Sequence, residues 1–367
     1  MSASDEITLT VDGKLYRGWI DVNIERSLDR FAHTFKLTYI DRWSDHVEPW
    51  PIRTGAACQV RFGTELLITG FVDVVTFKIN AQAWTLTAAG RSKTGDLVDC
   101  SAVHKGGAWE NKIAEDIAVD LVAPFGLAVR QQTPDNEKLP KFAIMEGESV
   151  HDALDRLVKN RGYLCHTLAS GDVGMLQLVS FSGNAYNLPV GEAIEREYSE
   201  DIQDRFSEYR LRSQTAATAE NGDAVTVTRK VDGITDPEVK RYRPLVVVAD
   251  SASDRTQLEK RGKWERNVRA GRAIRVQYTM PGVLDELGMP WTPGVHHRVK
   301  DEALGIDEEL LLVSATIDVN NHELTTQIEL TRPQAFSLLE WPDEALNPVT
   351  KAGRPKVKRT RKPVQQR

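Results

Sequence analysis

The sequence predicts a mostly β protein with an α+β insert: two related small β-barrel domains, an α/β domain between them and a lone polar helix. Both ends of the chain carry short runs in which apolar residues alternate with polar ones, as in strands that bury one face. Between residues 102 and 185 the apolar residues instead recur at helical spacing. One hairpin pattern also occurs twice, which indicates that the two β regions are related.

The repeated hairpin occurs once near each end of the chain. In each copy a glycine, Gly55 or Gly294, is followed after four intervening residues by a valine and a basic residue. A turn then leads to an apolar run that begins after Glu65 or Glu309. Two such copies predict two barrels of one type. The alternative is a chance match of a short pattern.

These patterns divide the chain into four parts. Residues 1–98 form the first barrel, 99–190 the α+β domain, 191–335 the second barrel, interrupted by a helix at 251–271, and 336–367 a C-terminal segment with a basic disordered tail. The first barrel contains two hairpin turn signals between alternating runs, Asp12-Gly13 and Gly63-Thr64.

Two amphipathic helices and a hairpin are expected in the α+β domain. An apolar stripe from Trp109 to Leu121, which ends near Pro124, predicts the first helix. Ser149 precedes a second apolar stripe and serves as its N-cap. Residues 163–168 and 175–181 then form two strands around a glycine-containing turn.

The helix at 251–271 is strongly polar and has only three apolar anchors, Leu258, Trp264 and Val268. Such a helix is either an ordinary solvated helix or a contact between subunits. The residues proposed for a subunit contact are its basic side chains, Lys260, Arg261, Lys263, Arg266 and Arg269.

The composition excludes several classes of protein. A hydrophobic content of 41% and a charged content of 27% are typical of a soluble globular protein. There is no run of 18 apolar residues, so membrane insertion is not expected. The first ten residues lack the apolar segment of a signal peptide. Three scattered cysteines, Cys58, Cys100 and Cys165, predict reduced thiols and folding in a cytoplasm.

The basic tail contrasts with an acidic body. Eight Lys and Arg residues lie beyond residue 350, and the remaining 39 basic and 53 acidic residues give residues 1–350 a net charge of −14. We expect the tail to be disordered and to dock electrostatically on an acidic neighbour. Because the tail has no aromatic residues to stack on bases, any binding of the tail to nucleic acid would be nonspecific. The residues assigned to partner binding are Lys351, Arg354, Lys356, Lys358, Arg359, Arg361 and Lys362.

Candidate chemistry is sparse. Gly90 and Gly95 have the spacing of a phosphate-binding loop, but Asp96 stands where that loop requires lysine. Asp96 and Asp99 form a candidate carboxylate pair, although roles in turns and caps are commoner for aspartate. The sequence therefore predicts no catalytic site and no bound cofactor.

Two pairs of adjacent residues resemble metal ligands. They are His296-His297 and Cys165-His166, each in an expected strand. Neighbours in a strand point to opposite faces, so neither pair can hold one metal ion. Because metal sites need three or four converging ligands, no metal site is predicted.

Several motifs, taken in order, match the pattern of a known family. They are Gly18-Trp19 with Glu25-Arg26-Ser27-Leu28-Asp29, Thr69-Gly70-x-Val72-Asp73, Gly90-Arg91-Ser92-Lys93-Thr94-x-Asp96-Leu97-Val98-Asp99-Cys100-Ser101, Glu148-Ser149 through Arg156-Leu157 to Gly162-Tyr163, Trp291-x-Pro293-Gly294 and Leu330-x-Arg332-Pro333-x-Ala335-Phe336. Over nearly the whole chain they resemble the baseplate hub family of Mu-like phages, also called tail protein P. The hub parts of other contractile tails and of the type VI secretion spike are more distantly similar.

The resemblance implies a structural protein of the virion tail baseplate, folded and assembled in the host cytoplasm. It implies a homotrimer in which two barrels per subunit form a ring of pseudo-sixfold symmetry. Such a ring joins the sixfold tail tube and other baseplate proteins to the threefold central spike protein. DNA passes through its channel without specific binding.

Two alternatives of other classes stay open. One is a tail-associated cell-wall-degrading enzyme that acts through Asp96, Asp99 or the segment 147–166. The other is a nucleic-acid-binding barrel protein, which the negative charge of the body disfavours.

Overall fold

The computed structural model describes residues 6–41, 52–79, 84–131, 136–159, 163–177, 185–215, 227–249, 255–320 and 323–336. Strands dominate at both ends of the chain, and helices lie mainly in the middle and at residues 255–272. The mostly β class with an α+β insert is therefore confirmed.

The first part of the chain is a series of strands joined by tight turns. Their bounds are β1 (Ile7–Val11), β2 (Lys14–Tyr16), β3 (Asp21–Ser27), β4 (Thr34–Asp41), β5 (Ala57–Phe62), β6 (Glu65–Ile79) and β7 (Trp84–Ser92). Both predicted turns are present. Asp12 and Gly13 connect β1 to β2 at φ of 48° and 78°, and Gly63 connects β5 to β6 at φ of 55°. Positive φ at both central residues is what a two-residue hairpin prefers.

The insert follows β7 at once. Its elements are α1 (Gly95–Asp99), β8 (Ala108–Ile113), α2 (Ala114–Val122), β9 (Val129–Gln131), β10 (Lys138–Ala143), α3 (Val150–Lys159), β11 (Tyr163–Thr167) and β12 (Val173–Gln177). The predicted N-cap is confirmed, because Ser149 Oγ accepts a hydrogen bond from Asp152 N at 3.1 Å. The predicted hairpin is confirmed by the antiparallel pairing of β11 with β12.

One expected helix begins later than its apolar stripe. Residues 108–113 form β8, which pairs with β10, and the helix α2 starts only at Ala114. Trp109 packs against Phe142 of β10, with ring centroids 5.9 Å apart, and stacks on His104 at 4.2 Å. This cross-strand packing outweighs the local helical spacing, as tertiary contacts commonly do.

The last part of the chain resumes the strands. Its elements are β13 (Tyr186–Asn187), β14 (Glu195–Glu200), β15 (Glu208–Thr215), β16 (Val227–Thr235), β17 (Pro244–Ala249), α4 (Arg255–Arg272), β18 (Ile274–Pro281), β19 (His296–Asp301), β20 (Ile306–Asn320) and β21 (Glu323–Thr331). A short 3-10 helix, Pro333–Phe336, ends the described chain.

The polar helix α4 is not a lone element. It packs on the three-stranded sheet β16-β15-β17, and Leu258 is fully buried with the apolar side chains of that sheet. Gly262 permits this contact, since a Cβ there would lie 2.3 Å from Ile234 Cδ1 and 2.4 Å from Leu211 Cδ2. The excursion from the second β region therefore includes three strands as well as the helix.

The two β regions share one sheet of 13 strands. Its order is β14-β18-β21-β20-β3-β4-β7-β6-β5-β1-β2, with β19 on β20 and β13 on β19. The regions are joined where β20 pairs antiparallel with β3. Among the described strands, hydrogen bonding closes neither region into a barrel.

Each region of the fold has its own apolar core. One core lies under the first strands and includes Leu9, Ile24 and Leu86. A second lies under the last strands and includes Tyr278 and Leu330. A third belongs to the insert, where α2 and α3 pack on β8 to β12.

Candidate subunit interface

The two β regions repeat one arrangement of five strands. In the first region the order is β3-β4-β7-β6-β5, and in the second it is β14-β18-β21-β20-β19. The long strand of each set, β6 or β20, has 15 residues. A bulge interrupts its pairing at the same relative position, between Val72 and Val74 in β6 and between Leu312 and Ser314 in β20.

The glycine of each hairpin copy has the same conformation and the same bonds. Gly55 and Gly294 adopt φ of 80° and 95°. Gly55 N donates to Val72 O at 2.7 Å, and Gly294 N donates to Leu312 O at 2.8 Å. A positive φ of this kind favours glycine. The glycines of the predicted repeat are thus structurally equivalent, and Val72 is equivalent to Leu312. The runs after Glu65 and Glu309, which the sequence repeat had aligned, are four residues out of step in the structure.

The junction between the repeats is a buried strand pair. Ile24 of β3 lies opposite Ile317 of β20, and they are 0% and 2% exposed. The neighbouring pair is polar: Asn23 Nδ2 donates to Asp318 Oδ1 at 2.7 Å. Arg26 is buried at the same junction and donates to Trp291 O at 3.2 Å, and burial lowers the pKa of its guanidinium to about 10.

β14 and the second half of β6 occupy the same places in the repeats as the two strands of this junction. Neither has a strand partner of this kind among the described residues. β14, the equivalent of β3, pairs on one side only, with β18. The second half of β6, the equivalent of the part of β20 that meets β3, pairs only with β7. Large side chains are exposed on both: Phe77 is 43% and Tyr198 39% exposed. Exposed edges of this kind favour pairing with another chain.

The basic residues of α4 were predicted to form a subunit contact. Three of them pair within the helix: Arg261 and Arg269 bind Glu265, at 2.9 and 3.3 Å, and Lys263 lies 3.7 Å from Glu259. Arg266 donates to Asn267 at 3.0 Å, and Lys260 is exposed. Their role in a subunit contact stays a prediction.

Asp99, one of the two candidate carboxylates, binds a structural arginine. Arg91 of β7 binds Asp99 at 2.7 Å and Asp73, the bulge residue of β6, at 2.8 Å. The hydrogen bond from Arg91 lowers the pKa of Asp99, and desolvation raises that of Asp96. The cluster ties β6 and β7 to α1 through Asp73 and Asp99, so Asp99 has a structural explanation.

The glycine-flanked segment before Asp96 likewise connects the sheet to the insert. Ser92 Oγ and Thr94 Oγ1 share a hydrogen bond of 2.7 Å, and Thr94 Oγ1 meets Thr167 Oγ1 at 2.7 Å. Thr94 is fully buried, so its hydroxyl is not available to a phosphate group. The segment 147–166 offers no activated thiol, because burial raises the pKa of Cys165 to about 12.

The adjacent histidines lie on β19 and differ in surroundings. His296 Nδ1 is 2.7 Å from Glu309 Oε1, whereas His297 packs against Trp291 at a centroid distance of 5.7 Å. No cluster of three metal-ligating side chains occurs within the ranges that the structure describes.

The basic tail residues from Lys351 to Lys362 lie outside those ranges.

Acid is expected to destabilise the fold through His297. Burial lowers its pKa from 6.5 to about 4. Between these values the unfolded chain binds the extra proton, so the free energy of unfolding falls as the pH drops, by about 1.4 kcal/mol per pH unit. Urea denaturation at several pH values across this range gives the slope of the free energy of unfolding against pH. The His297→Phe variant should reduce that slope by the contribution of one proton. An unchanged slope would show that His297 titrates normally.

Three family models match separate parts of the chain. "Mu phage baseplate assembly protein GpP-like, N-terminal" matches residues 6–92, and "Baseplate hub protein gp44-like, second domain" matches residues 94–177. "Mu phage baseplate assembly protein GpP, fourth domain" matches residues 254–340. The baseplate hub protein gp44 of Escherichia phage Mu is 32% identical over 346 residues, which cover 91% of this chain and 89% of that protein.

The chain belongs to the baseplate hub family of Mu-like phages. The hub fold is also seen in the 43 kDa tail protein of prophage MuSo2 from Shewanella oneidensis. That crystal structure matches with a TM-score of 0.80 and 30% identity over 91% of this chain and 100% of the other. A tail protein from Neisseria meningitidis MC58 matches with a TM-score of 0.76 and 21% identity, over 92% and 99% of the two chains.

The predicted distant similarity of the chain to the type VI secretion spike is also found. A component of the type VI secretion system of E. coli, itself described as similar to the T4 tail proteins gp27 and gp5, matches with a TM-score of 0.52. The identity is 9%, and the match covers 88% of this chain and 75% of the other, so it shows a shared fold. Across the described part of the hub, none of the helices has the length and apolar character needed to span a membrane.

Proposed function

We propose that this protein is the trimeric hub ring of a contractile phage tail, which joins the sixfold tail tube to the threefold central spike. The structural repeat with two unpaired edges is the observation that carries this proposal. Each chain contributes two equivalent units, so three chains present six similar units to the tube. The same three chains present a threefold face to the spike.

The shape of the ring follows from closing the sheet. Among the described strands of one chain, β14 and the second half of β6 each keep one unpaired edge. Heterologous contacts between copies form a ring when the rotation between them closes. In the ring, each repeat becomes a barrel-like unit with a neighbour on either side, around a channel that DNA crosses without sequence-specific contacts.

The proposed role is structural and not enzymatic. The named relative is a baseplate hub protein, and one of the two candidate carboxylates, Asp99, is held by Arg91. The basic tail from Lys351 onward contributes an electrostatic contact to an acidic neighbour in the baseplate. Such a contact weakens as salt rises, since exposed charges are screened over roughly 8 Å at physiological salt.

Solution mass tests the proposal. We expect light scattering of the purified hub to give the mass of three chains, either alone or after addition of the spike protein. A chain that ends at Thr350 should give the mass of three shortened chains and the same melting temperature, because we expect the tail to be dispensable for folding and for the trimer. Monomer alone at every concentration, with and without spike, would contradict the proposed function.

A further inference from the structure

We propose that β14 of one chain pairs antiparallel with the second half of β6 of the next chain, in the register that β3 and β20 use within one chain. This inference rests on the proposed ring. It identifies the surface that joins the three chains and the residues that face each other across it. The occupant of both free edges is therefore a second copy of this protein.

The register on β6 follows from the bulges. Because both bulges lie just after the residue that binds the hairpin glycine, Val72 is equivalent to Leu312 and Val74 to Ser314. Counting along the strands makes Phe77 equivalent to Ile317.

The register on β14 follows from a second pair of matching bonds. Ile20 N donates to Thr38 O at 2.9 Å before β3, and Ile194 N donates to Thr279 O at 2.8 Å before β14. From these bonds onward, β14 pairs with β18 residue by residue in the same way as β3 pairs with β4. Tyr198 is thereby equivalent to Ile24.

This register places two pairs of complementary side chains opposite each other. Phe77 comes to lie opposite Tyr198, where the internal junction has its buried isoleucine pair. Lys78 lies opposite Glu197, where the internal junction has its hydrogen-bonded polar pair. The alignment used backbone bonds and bulges only, so the match of side chains is an independent observation. The remaining facing pairs are Val74 with Asp201, Val75 with Glu200 and Thr76 with Ser199.

The exposure of these residues agrees with a surface that another chain covers. All six residues of β14 are exposed, and on β6 the exposed residues include Val74, Phe77 and Ile79. An edge strand with large apolar side chains is an aggregation hazard unless it is covered. Aromatic and opposite-charge pairs across antiparallel strands stabilise such a contact.

Engineered cysteines test the register. Residues directly opposite in antiparallel strands have Cα atoms about 4.5–5.5 Å apart, within the range of a disulfide. In a Cys100→Ser background, which removes the exposed native thiol, the Lys78→Cys, Glu197→Cys variant should form disulfide-linked trimers under mild oxidation. The matched control, Lys78→Cys with Ser199→Cys, is two residues out of register and should remain largely uncrosslinked.

Exchange of the charges at positions 78 and 197 tests the same register through trimer association, without a covalent bond. Lys78→Glu and Glu197→Lys should each lower trimer association by roughly tenfold, and the double variant should restore it. A trimer that crosslinks at 78–199 but not at 78–197, or that the double variant fails to restore, would overturn this register and leave the hub ring intact. A protein that never forms trimers would overturn the ring as well.

Discussion

Arg205→Ala is expected to lower the free energy of unfolding of the unit formed by β15, β16, β17 and α4 by about 3–5 kcal/mol. The Arg205 side chain is 3% exposed and donates to both carboxylate oxygens of Asp236, at 2.9 Å each. Asp236 is 4% exposed, so removal of the guanidinium leaves a buried carboxylate without its counter-ion. Breaking a buried pair from one side costs more than the pair itself contributes.

Denaturant unfolding and amide exchange of β15 to β17 measure this effect. The matched control is Arg210→Ala on β15, whose pair with Glu208 is 2.8 Å long but partly exposed. Exposed pairs contribute about 0–1 kcal/mol, so the control should be nearly neutral. If both variants lose the same stability, the buried pair has no special role.

Gly70→Ala is expected to disrupt the pairing of β6 with β7 and to cost at least about 3 kcal/mol, or to prevent folding. A Cβ at this position would lie 1.8 Å from the backbone oxygen of Arg91 and 2.8 Å from Ser92 Cα. Backbone atoms in a sheet cannot move aside as a side chain does. The strands would have to separate next to the Arg91 cluster.

Soluble yield and a thermal melt report the outcome. Gly191→Ala is the matched control, because nothing lies within 4 Å of a Cβ there and its φ is ordinary. The control should stay within about 0.5 kcal/mol of the parent protein. Normal stability of the Gly70 variant would show that the close approach of the two strands is not required.

Local patterns predicted the hairpins because alternation and turn residues act over a few positions. The Gly55 and Gly294 copies were visible for the same reason, and the structure shows the same bonds at both. The strand β8 was missed because Trp109 takes its partner, Phe142, from a segment more than 30 positions away. The pairing of β3 with β20 was equally hidden, since no local signal specifies a partner 295 positions along the chain.

The candidate interface was predicted only in outline. The basic residues of α4 were prominent in the sequence, but charge alone does not reveal that Glu265 binds two of them. Phe77 and Tyr198 were not identified, because an exposed aromatic in a strand looks like any half-buried one. The repeat in the sequence would not have revealed this, because alignment of the runs after Glu65 and Glu309 lies four residues away from the structural match of Phe77 with Ile317.

The junction of β3 with β20 also bears on synthesis at the ribosome. Asn23 is made 295 residues before Asp318, a delay of roughly 15–60 s at typical elongation rates. For most of that interval, once Ile79 has been made, the nascent chain carries β3 and β6 but lacks β20. Chains growing side by side on one messenger can therefore pair β3 of one with β6 of another. Release of the finished chain favours the correct partner, because β20 is then tethered to β3 at a high effective concentration.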